Sequence, residues 1–298
     1  MVSGPLFTEL PARGAIEVAG EDRVTFLQGL VSNDVAKATP ERAIYAALLT
    51  AQGRYLFDFF ILAQGDALYL DAEAARLAEL LKRLSIYKLR AKVTLADASA
   101  RLAVAAAWGD GTSDALALAD TGAAREFAGG IAYLDPRLAA LGARFLIPRE
   151  RGSEAIAAAG FARADDAAYD RHRLALGVPD ASRDLEIEKA LLMESGFDEL
   201  NGIDWQKGCY MGQELTARMK YRALVKKRLL PVTVAGAMPA PGTAIMQGDS
   251  EAGELLSGRD GRAMALLRLD AVERAAEGAT LTAGEARITP ERPAWMKP

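Results

Sequence analysis

The last quarter of the chain carries short apolar runs that follow one another so closely that only β-strands joined by tight turns fit the spacing. Glycines, which permit the backbone angles of tight turns, separate these runs. The runs lie at residues 228–235, 244–247, 253–257, 263–269 and 286–288. Closely spaced short strands are typical of a small β-barrel or sandwich. We therefore predict a C-terminal β-domain over residues 226–298, ending in a proline-containing extension at residues 290–298.

The preceding residues mix strand and helix patterns, which predicts an α+β fold with antiparallel sheets. Two interleaved subdomains are expected, the first at approximately residues 1–100 and the second at approximately residues 101–225. In the first, Asp71 is expected to cap a helix with a leucine-rich face. Residues 88–95 alternate between apolar and polar, mostly basic, side chains, which predicts a strand. Its basic face either contacts water or forms the wall of a site for an anionic ligand.

Composition excludes several kinds of site. The 298 residues include one cysteine and one histidine, so an internal disulfide is impossible, and the chain alone cannot build a zinc site or hold an iron–sulfur cluster. A net charge of −4 does not indicate a dedicated nucleic-acid-binding protein. The first five residues do not resemble a signal peptide, and the longest apolar runs are too short to cross a bilayer. We therefore expect a soluble cytoplasmic protein.

The single cysteine, Cys209, lies in a glycine-containing stretch just before a predicted helix. A thiol at that position can experience the partial positive charge of the helix N-terminus, which favours the thiolate. A lone cysteine can equally be a small buried hydrophobic residue. The residues alone leave both interpretations open.

Two blocks of opposite charge flank this cysteine. Residues 182–204 carry seven acidic side chains against two basic ones, whereas residues 218–228 carry six basic side chains and no acidic one. Both blocks can be ordinary solvated surface, or the second can bind phosphates or carboxylates. The only histidine, His172, falls on a predicted helix face without a visible partner, and no nucleophile elbow is present. A Ser–His–Asp hydrolase is therefore disfavoured.

Four stretches then occur in order along the chain: DRVTFLQGLVSNDV at 22–35, LTAQGR at 49–54, YKLRAKV at 87–93 and NGIDWQKGCYMGQE at 201–214. Together they resemble the YgfZ family of folate-binding proteins, which are relatives of the glycine-cleavage T-protein, an aminomethyltransferase. The string K-G-C-Y-x-G-Q-E in the last stretch is specific to that family. The motif cysteine corresponds to Cys209, and the accompanying motif residues are Lys207, Gly208, Tyr210, Gly212, Gln213 and Glu214.

The resemblance implies a GcvT/YgfZ-like ring of three domains, in which two antiparallel-sheet α+β units and a C-terminal β-barrel surround a channel that binds tetrahydrofolate. It also implies a role in making or repairing iron–sulfur clusters, especially in 4Fe–4S enzymes such as the radical enzymes that modify tRNA. In the motif, we expect Lys207 and local backbone N–H groups to stabilise a Cys209 thiolate, while Gln213 and Glu214 orient the turn.

The chain departs from the T-protein pattern in two places. At the hairpin, T-proteins resemble Gly-Gly-x-x-Asp-Asp, whereas residues 53–58 read GRYLFD and carry a single acid, Asp58. In a later helix, T-proteins carry Arg-Leu-Glu-Ala-Gly, but residues 173–177 read RLALG, so Ala175 replaces a glutamate that binds the pteridine. A pteridine edge needs a carboxylate acceptor. Either Glu194 replaces that acid, or folate binds more weakly; the residues assigned to folate are Asp58, Arg173, Glu194 and Arg218.

Three hypotheses of function follow from these patterns. The first is a non-enzymatic, tetrahydrofolate-binding accessory protein that meets iron–sulfur assembly proteins and 4Fe–4S client enzymes, with Cys209 as its working thiol. The second is an aminomethyltransferase-like enzyme that transfers a one-carbon unit to or from tetrahydrofolate, with Asp58 as its acid–base residue. The third is a binding module in which residues 218–228 contact tRNA or an acidic partner.

Overall fold

The computed structural model describes residues 4–222 and 224–296. Three short stretches lie outside the described residues. They are residues 1–3, on which the expectation of no signal peptide partly rests, residue 223 of the basic block, and residues 297–298 of the predicted extension. The chain forms two compact units, each assembled from separate stretches. The first unit comprises Met1–Ala51, Leu56–Tyr169 and Leu200–Gln213, and the second comprises Gln52–Tyr55, Asp170–Glu199 and Glu214–Pro298.

The first unit contains most of the α+β part of the fold. Its strands are β1 (Leu6–Glu9), β2 (Arg13–Ala19), β3 (Ile44–Leu49), β4 (Tyr55–Gln64, whose first residue belongs to the second unit), β5 (Ala67–Glu73), β6 (Thr94–Asp97), β7 (Leu102–Trp108), β8 (Ala124–Phe127), β9 (Gly130–Leu134), β10 (Ala143–Pro148) and β11 (Ala162–Arg163). Its helices are α1 (Arg23–Gln28), α2 (Leu77–Lys88), α3 (Thr112–Leu116), α4 (Gly152–Ala158) and the first turn of α5 (Asp166–Ala175). Single 3-10 turns lie at Val35–Lys37, Ala74–Arg76 and Ala139–Leu141.

These strands form two sheets that are interleaved along the chain. A five-stranded sheet has the order β3-β4-β5-β2-β6, and a six-stranded sheet has the order β11-β1-β7-β10-β9-β8. Strand β1 pairs with β7 in the six-stranded sheet, whereas β2, which follows it directly, pairs with β5 and β6 in the other. One apolar core, which includes Leu27, Leu48 and Phe59, packs on the five-stranded sheet, and a second, which includes Phe7 and Phe145, packs on the other.

Two local predictions in this unit are wrong. Asp71 does not cap a helix: it is fully buried within β5, and helix α2 begins only at Leu77. The residues from 88 to 93 do not form a strand, because α2 continues to Lys88 and β6 begins at Thr94. Leu89 adopts a positive φ of 42° just after the helix and is 88% exposed. The alternation there came from a helix end followed by a loop, which short patterns cannot distinguish from a strand.

The second unit contains a closed β-barrel. After helices α6 (Ala181–Asp184) and α7 (Gln213–Tyr221, whose first residue belongs to the first unit) come β12 (Lys227–Ala235), β13 (Ala244–Gln247), β14 (Ser250–Arg259), β15 (Arg262–Arg268), α8 (Leu269–Ala276), β16 (Leu281–Ala283) and β17 (Ala286–Pro290). The barrel order is β12-β15-β14-β13-β16-β17. Its core includes Ile245, Leu255 and Leu267. The predicted barrel is therefore confirmed, while α8 and β16 were not expected.

A glycine after helix α5 and the C-terminal segment both make close contacts within this unit. Gly177, which follows α5, has φ of +67°, and an added Cβ would lie 2.6 Å from the Cγ of Pro231. A side chain at this position would be strained both by the left-handed backbone and by the contact.

The predicted extension packs on the same unit, because the indole of Trp295 donates to the carbonyl of Leu176 at 2.8 Å and Met296 is buried. Across the described part of the chain, no helix is long and apolar enough to span a membrane.

Candidate functional site

Cys209 lies in an exposed turn that leads into helix α7. Gly208 is also exposed, and a methyl group added there would meet no atom within 4 Å. Gly212, directly before the helix, has φ of +80°, a left-handed conformation that glycine adopts readily. The thiol is therefore accessible to solvent and to partners, and Cys209 is not a core residue.

Lys207 is buried and fixes this turn to the rest of the first unit. Its ammonium donates to the carbonyls of Gln28 at 2.8 Å and Asn33 at 2.9 Å, and also to the carbonyl of Val31. An ammonium has three N–H groups, so these carbonyls occupy all of them. Burial lowers the pKa of Lys207 to about 8. Lys207 thus anchors the turn through these carbonyls, and its expected effect on a Cys209 thiolate stays a prediction.

The anchor belongs to a seam between two of the stretches that carry the family resemblance, residues 22–35 and 201–214. The side-chain amide of Asn33 donates to the carbonyl of Asn201 at 2.8 Å. The hydroxyl of Ser32 donates to the carbonyl of Gly202 at 2.6 Å, and the backbone carbonyl of Ser32 accepts the N–H of Asp204 at 3.1 Å. These polar groups are buried or partly buried and bonded to one another, so the seam specifies one arrangement of the two stretches.

Asp204 shapes the loop that delivers Lys207. One carboxylate oxygen accepts the backbone N–H groups of Gln206 at 2.7 Å and Lys207 at 3.1 Å, which is the geometry of an Asx turn. The other oxygen accepts the ammonium of Lys37. Burial alone would raise the pKa of Asp204, but Lys37 and the backbone N–H groups hold it below its ordinary value. Asp204 was not predicted as a site residue; its position three residues before Lys207 was the available signal.

Tyr210 and Gln213 close the other side of the turn. The N–H of Tyr210 donates to the side-chain oxygen of Gln213 at 3.4 Å, and the N–H of Gln213 donates to the carbonyl of Tyr210 at 3.3 Å. The buried Tyr210 ring lies 5.0 Å from the Lys207 ammonium, within the range of a cation–π contact. Glu214 and Arg218 are exposed on α7.

Asp58 lies in the interior of the first unit, on β4, and is 7% exposed. Its Oδ2 accepts the hydroxyl of Tyr45 at 3.0 Å. Burial, followed by the charge of Asp58, raises the pKa of Tyr45 well above its ordinary value, so the phenol stays a donor. In this geometry the carboxylate of Asp58 is bound to a neighbouring side chain of its own unit.

A buried ionic network also lies in the first unit, and it was not expected from sequence. Asp71 accepts Arg13 at 2.7 Å through Oδ1 and Arg144 at 2.8 Å through Oδ2, which also accepts the hydroxyl of Tyr133 at 3.1 Å. The guanidinium of Arg144 lies 4.3 Å from the centroid of the Phe60 ring. The signal was present, because Asp71 and Arg144 interrupt otherwise apolar strands, and such charges inside a sheet are buried only when paired.

Arg173, in the second unit, is 4% exposed, and its hydrogen bonds are made within that unit. Its guanidinium donates to Asp170 at 2.8 Å, Asp184 at 2.9 Å and the hydroxyl of Ser257 at 2.6 Å. A buried guanidinium with these partners joins α5 and α6 to strand β14. This geometry favours a structural role for Arg173.

Glu194 and Arg218 line one pocket of the second unit, with a volume of about 380 Å³. Arg222 and Lys226 also line it, together with Leu191, Leu215, Met219 and Leu224. Burial raises the pKa of Glu194, and the nearby charges of Lys227 and Arg54 oppose that shift. The pocket therefore combines one carboxyl group, an apolar wall and three cations, a set that suits a ligand with a hydrogen-bond-donating ring and an anionic tail.

The two charge blocks pair with each other in part. Lys220 bonds Asp198 at 2.7 Å, and Arg228 bonds Glu199. Among the described residues, no carboxylate lies within ion-pair distance of Arg218, Arg222 or Lys226. These three side chains line the Glu194 pocket, so part of the basic block is available to an external anion there.

The structure thus brings together some of the predicted site residues and separates others. Residues 207–213 form one anchored turn in the first unit, and Glu194 and Arg218 share a pocket in the second. Asp58 and Arg173 each lie in a buried network of their own unit. Over residues 4–222 and 224–296, no three His, Cys, Asp or Glu side chains are grouped so as to hold a metal ion.

Comparison with known proteins places the chain in a family. A model described as the GCVT N-terminal domain matches residues 7–128, and one described as the CAF17 C-terminal beta-barrel domain matches residues 226–298. The iron–sulfur cluster assembly factor IBA57, mitochondrial, of Homo sapiens is 32% identical over 91% of this chain and 81% of that protein. The Mus musculus protein of the same name is 31% identical over 89% of this chain and 78% of its own length.

Two further relatives define the limits of this likeness. The IBA57 homolog of Mycosarcoma maydis is 33% identical over 78% of this chain, and the chain spans 58% of its length. The crystal structure of the glycine cleavage system aminomethyltransferase T from Bartonella henselae covers 99% of this chain and 87% of its own, with a TM-score of 0.77 and 14% identity. That likeness concerns the fold alone, and it confirms the predicted GcvT-like architecture.

The prediction of a cytoplasmic protein is wrong on these comparisons, because the relatives that match are named as mitochondrial proteins. The prediction rested on the single cysteine and on the lack of a signal-peptide pattern and of a membrane-spanning run, and none of these distinguishes one compartment without disulfides from another. The family resemblance is confirmed at the level of GcvT-like proteins related to the aminomethyltransferase, and not for the YgfZ branch in particular. The chain carries a CAF17-type C-terminal barrel, and it belongs to the GcvT-like family that includes the IBA57 iron–sulfur cluster assembly factors.

Proposed function

We propose that this protein is an accessory factor in the assembly or repair of iron–sulfur clusters, with Cys209 as its working thiol. The names of its relatives support the process. The observation that carries the role of the thiol is the contrast within one turn: Cys209 is exposed, while Lys207 is buried on three backbone carbonyls. A reactive group on a fixed support can meet a partner at low cost in conformational entropy.

The thiol acts together with ligands from another protein. A single cysteine supplies one thiolate, whereas a 4Fe–4S cluster is held by about four cysteine thiolates. Cys209 therefore serves as one transient ligand of a cluster that is cargo, or as the contact with the assembly protein that carries it. In either case the partner contributes the remaining ligands.

We also propose that tetrahydrofolate binds in the Glu194 pocket. The residues present fit the molecule, because the carboxyl group of Glu194 can accept N–H groups from the pteridine edge. Arg218, Arg222 and Lys226 can pair with the carboxylates of the glutamate tail. When bound, the folate would supply a carrier for one-carbon units; the chain's own residues bind and orient it. Glu194 thereby replaces the glutamate that T-proteins carry at the position of Ala175.

The clients of this factor are 4Fe–4S enzymes, including radical enzymes that modify tRNA, as the YgfZ resemblance implies. Direct contact with tRNA through residues 218–228 is a further part of the proposal. The rim cations Arg218, Arg222 and Lys226 would carry such a contact. Binding dominated by phosphates weakens steeply as salt rises, so a flat salt response would count against it.

The thiol is tested by complementation of cells that lack this protein. Wild type, Cys209→Ser and Gly208→Ala are expressed at equal levels, and the activity and iron content of 4Fe–4S enzymes are measured. We expect Cys209→Ser to lose most of the rescue. Gly208→Ala, the matched control, should rescue fully because an added methyl group there meets no atom within 4 Å.

Full rescue by Cys209→Ser would overturn the role of the thiol. If cells without the protein retain normal 4Fe–4S enzyme activity, the proposed process itself is wrong. Thermal unfolding of the purified variants keeps a folding defect distinguishable from a chemical one.

A further inference from the structure

The C-terminal end of helix α2 exposes two large aliphatic side chains that none of the proposed functions uses. Leu89, the residue directly after the helix, is 88% exposed, and Ile86 in the last turn is 61% exposed. They are the two most exposed large aliphatic side chains in the part of the chain that the structure describes. The opposite face of α2 packs on the core of the first unit through Leu80 and Leu84. Ile86 and Leu89 therefore protrude into water from a fixed support.

The backbone at Leu89 has a conformation that suits glycine better than leucine. Its φ of 42° lies in the left-handed region, which residues with a side chain rarely adopt. The chain is held just after this point, because the N–H of Ala91 donates to the carbonyl of Lys88 at 2.8 Å and the N–H of Lys92 donates to the carboxylate of Asp22 at 2.8 Å. A strained and exposed leucine adds nothing to the core, as expected of a residue that acts on a surface outside the chain.

Basic side chains surround this aliphatic pair. Residues 80–96 carry five basic side chains and no acidic one. One of the five, Lys92, pairs with Glu21 at 2.8 Å, whereas no carboxylate of the described residues lies within ion-pair distance of the other four. Two of these four precede Ile86 by three and four positions, so they adjoin it on the helix surface, and the other two flank Leu89 in sequence. The four are Lys82, Arg83, Lys88 and Arg90.

The complement to this surface, residues 82–90 or the α2 tip, is an anionic layer that covers an apolar one. A phospholipid bilayer has that order: aliphatic side chains enter the boundary between headgroups and acyl chains, while Lys and Arg contact the phosphates. Hot spots of protein interfaces instead fill pockets and are enriched in Trp, Tyr and Arg, with leucine under-represented. The net charge of −4 does not prevent the approach, because charges farther away than about 8 Å are largely screened at physiological salt.

We propose that the α2 tip is a docking surface for anionic phospholipid bilayers. Leu89 and Ile86 enter the headgroup boundary, and the four unpaired cations contact lipid phosphates. Docking of this kind needs no membrane-spanning helix. The α2 tip shares no residue with the Cys209 turn or the Glu194 pocket, so this inference is independent of the iron–sulfur and folate proposals.

Vesicle flotation tests the proposal. Full-length protein is mixed with vesicles of phosphatidylcholine alone or of phosphatidylcholine and phosphatidylglycerol in equal amounts, and the bound fraction is measured at low and at physiological salt. We expect saturable binding to the anionic vesicles, at least about tenfold weaker binding to the neutral ones, and a decrease as salt rises. Leu89→Ser should weaken binding by about tenfold, because a buried leucine side chain is lost from the complex.

Leu89→Gly separates docking from folding. Glycine relieves the positive φ, so this variant should unfold at the temperature of wild type or above it, yet bind anionic vesicles as weakly as Leu89→Ser. Arg90→Glu should weaken binding by about tenfold or more. The matched controls are Ile187→Ser, at an exposed isoleucine between two glutamates, and Arg287→Glu, at an exposed cation of the barrel. Both should bind as wild type does.

The proposal is overturned if wild type does not bind anionic vesicles even at low salt. It is also overturned if folded Leu89→Ser and Leu89→Gly bind as tightly as wild type, because the attraction would then involve charge alone. A third result would contradict it as well: no vesicle binding by wild type, together with loss of the 4Fe–4S enzyme rescue in folded Leu89→Gly. The α2 tip would in that case dock an acidic protein instead of a bilayer.

Discussion

Lys207 and Cys209 are separated by one residue and have opposite environments: Lys207 is 8% exposed, with its ammonium on three backbone carbonyls, whereas Cys209 is exposed. The buried cation immobilises the backbone that presents the thiol. The side chain that looks like a partner of the cysteine is thus its support, and the first two predictions follow from this division.

Lys207→Met should destabilise the protein. The substitution keeps most of the aliphatic stem but leaves the carbonyls of Gln28, Val31 and Asn33 without their donor, and buried unsatisfied acceptors are costly. We expect the free energy of unfolding at pH 7 to fall by about 3 kcal/mol. Urea unfolding measures this, with Lys82→Met, an exposed position on α2, as the matched control. A change equal to that of the control would contradict the anchor.

The same lysine predicts a pH dependence above neutrality. The pKa of Lys207 is about 8 in the folded protein, below its ordinary 10.5. Between these values the unfolded chain binds more protons than the folded one, so stability rises with pH across that window. The gain is up to about 3 kcal/mol.

Because tyrosines and other lysines also titrate there, the measurement is the difference between wild type and Lys207→Met at pH 7.5 and at pH 10. The wild type should gain stability relative to the variant on going to the higher pH. A difference that does not change would show that Lys207 keeps an ordinary pKa, and one that moves the other way would show that folding raises its pKa; either result contradicts the prediction.

Asp71→Asn should be among the more destabilising single substitutions in the first unit. It keeps the shape of the side chain but removes the charge that pairs with both Arg13 and Arg144. Loss of one partner from a buried ionic network costs about 3–5 kcal/mol. Asp66→Asn, at an exposed turn between β4 and β5, is the control and should change stability by less than about 0.5 kcal/mol.

Measuring stability at acidic pH tests the ion pairs of Asp71 with Arg13 and Arg144 independently. Although burial alone would raise it, Arg13 and Arg144 hold the pKa of Asp71 below its ordinary 3.8. The ionised group therefore stabilises the fold above that value, and its contribution disappears as the pH falls through the lower folded pKa. The advantage of wild type over Asp71→Asn should shrink over that acidic range.

Tetrahydrofolate titration tests the Glu194 pocket. Glu194→Gln should weaken binding by about tenfold or more, because a neutral amide offers only one acceptor to the pteridine edge. Arg218→Ala should weaken the triglutamate form more than the monoglutamate form. Asp58→Asn, in the first unit, should leave affinity unchanged, because that carboxylate is occupied by Tyr45. Loss of affinity in Asp58→Asn alone would instead place the folate near β4.

The candidate site was predictable only in part. The string at residues 207–214 marked the turn because a glycine-bracketed cysteine before a helix is a local pattern. The same string did not reveal what Lys207 binds, since its acceptors lie as far as 179 residues away along the chain. Arg173 was assigned to folate from its neighbours in sequence, yet its partners include Ser257, which is 84 residues away.

The sequence by itself determined the α+β character of the first part of the chain, the C-terminal barrel and the position of the thiol before a helix, because apolar periodicity and glycine turns act over a few residues. Only the tertiary structure decided which charges are buried, which are paired and which remain available. It buried Asp71 in a strand and placed the Lys207 ammonium on three backbone carbonyls. The physical reason is that the energy of a charge depends on distant atoms and on its removal from water, and neither is encoded in neighbouring residues.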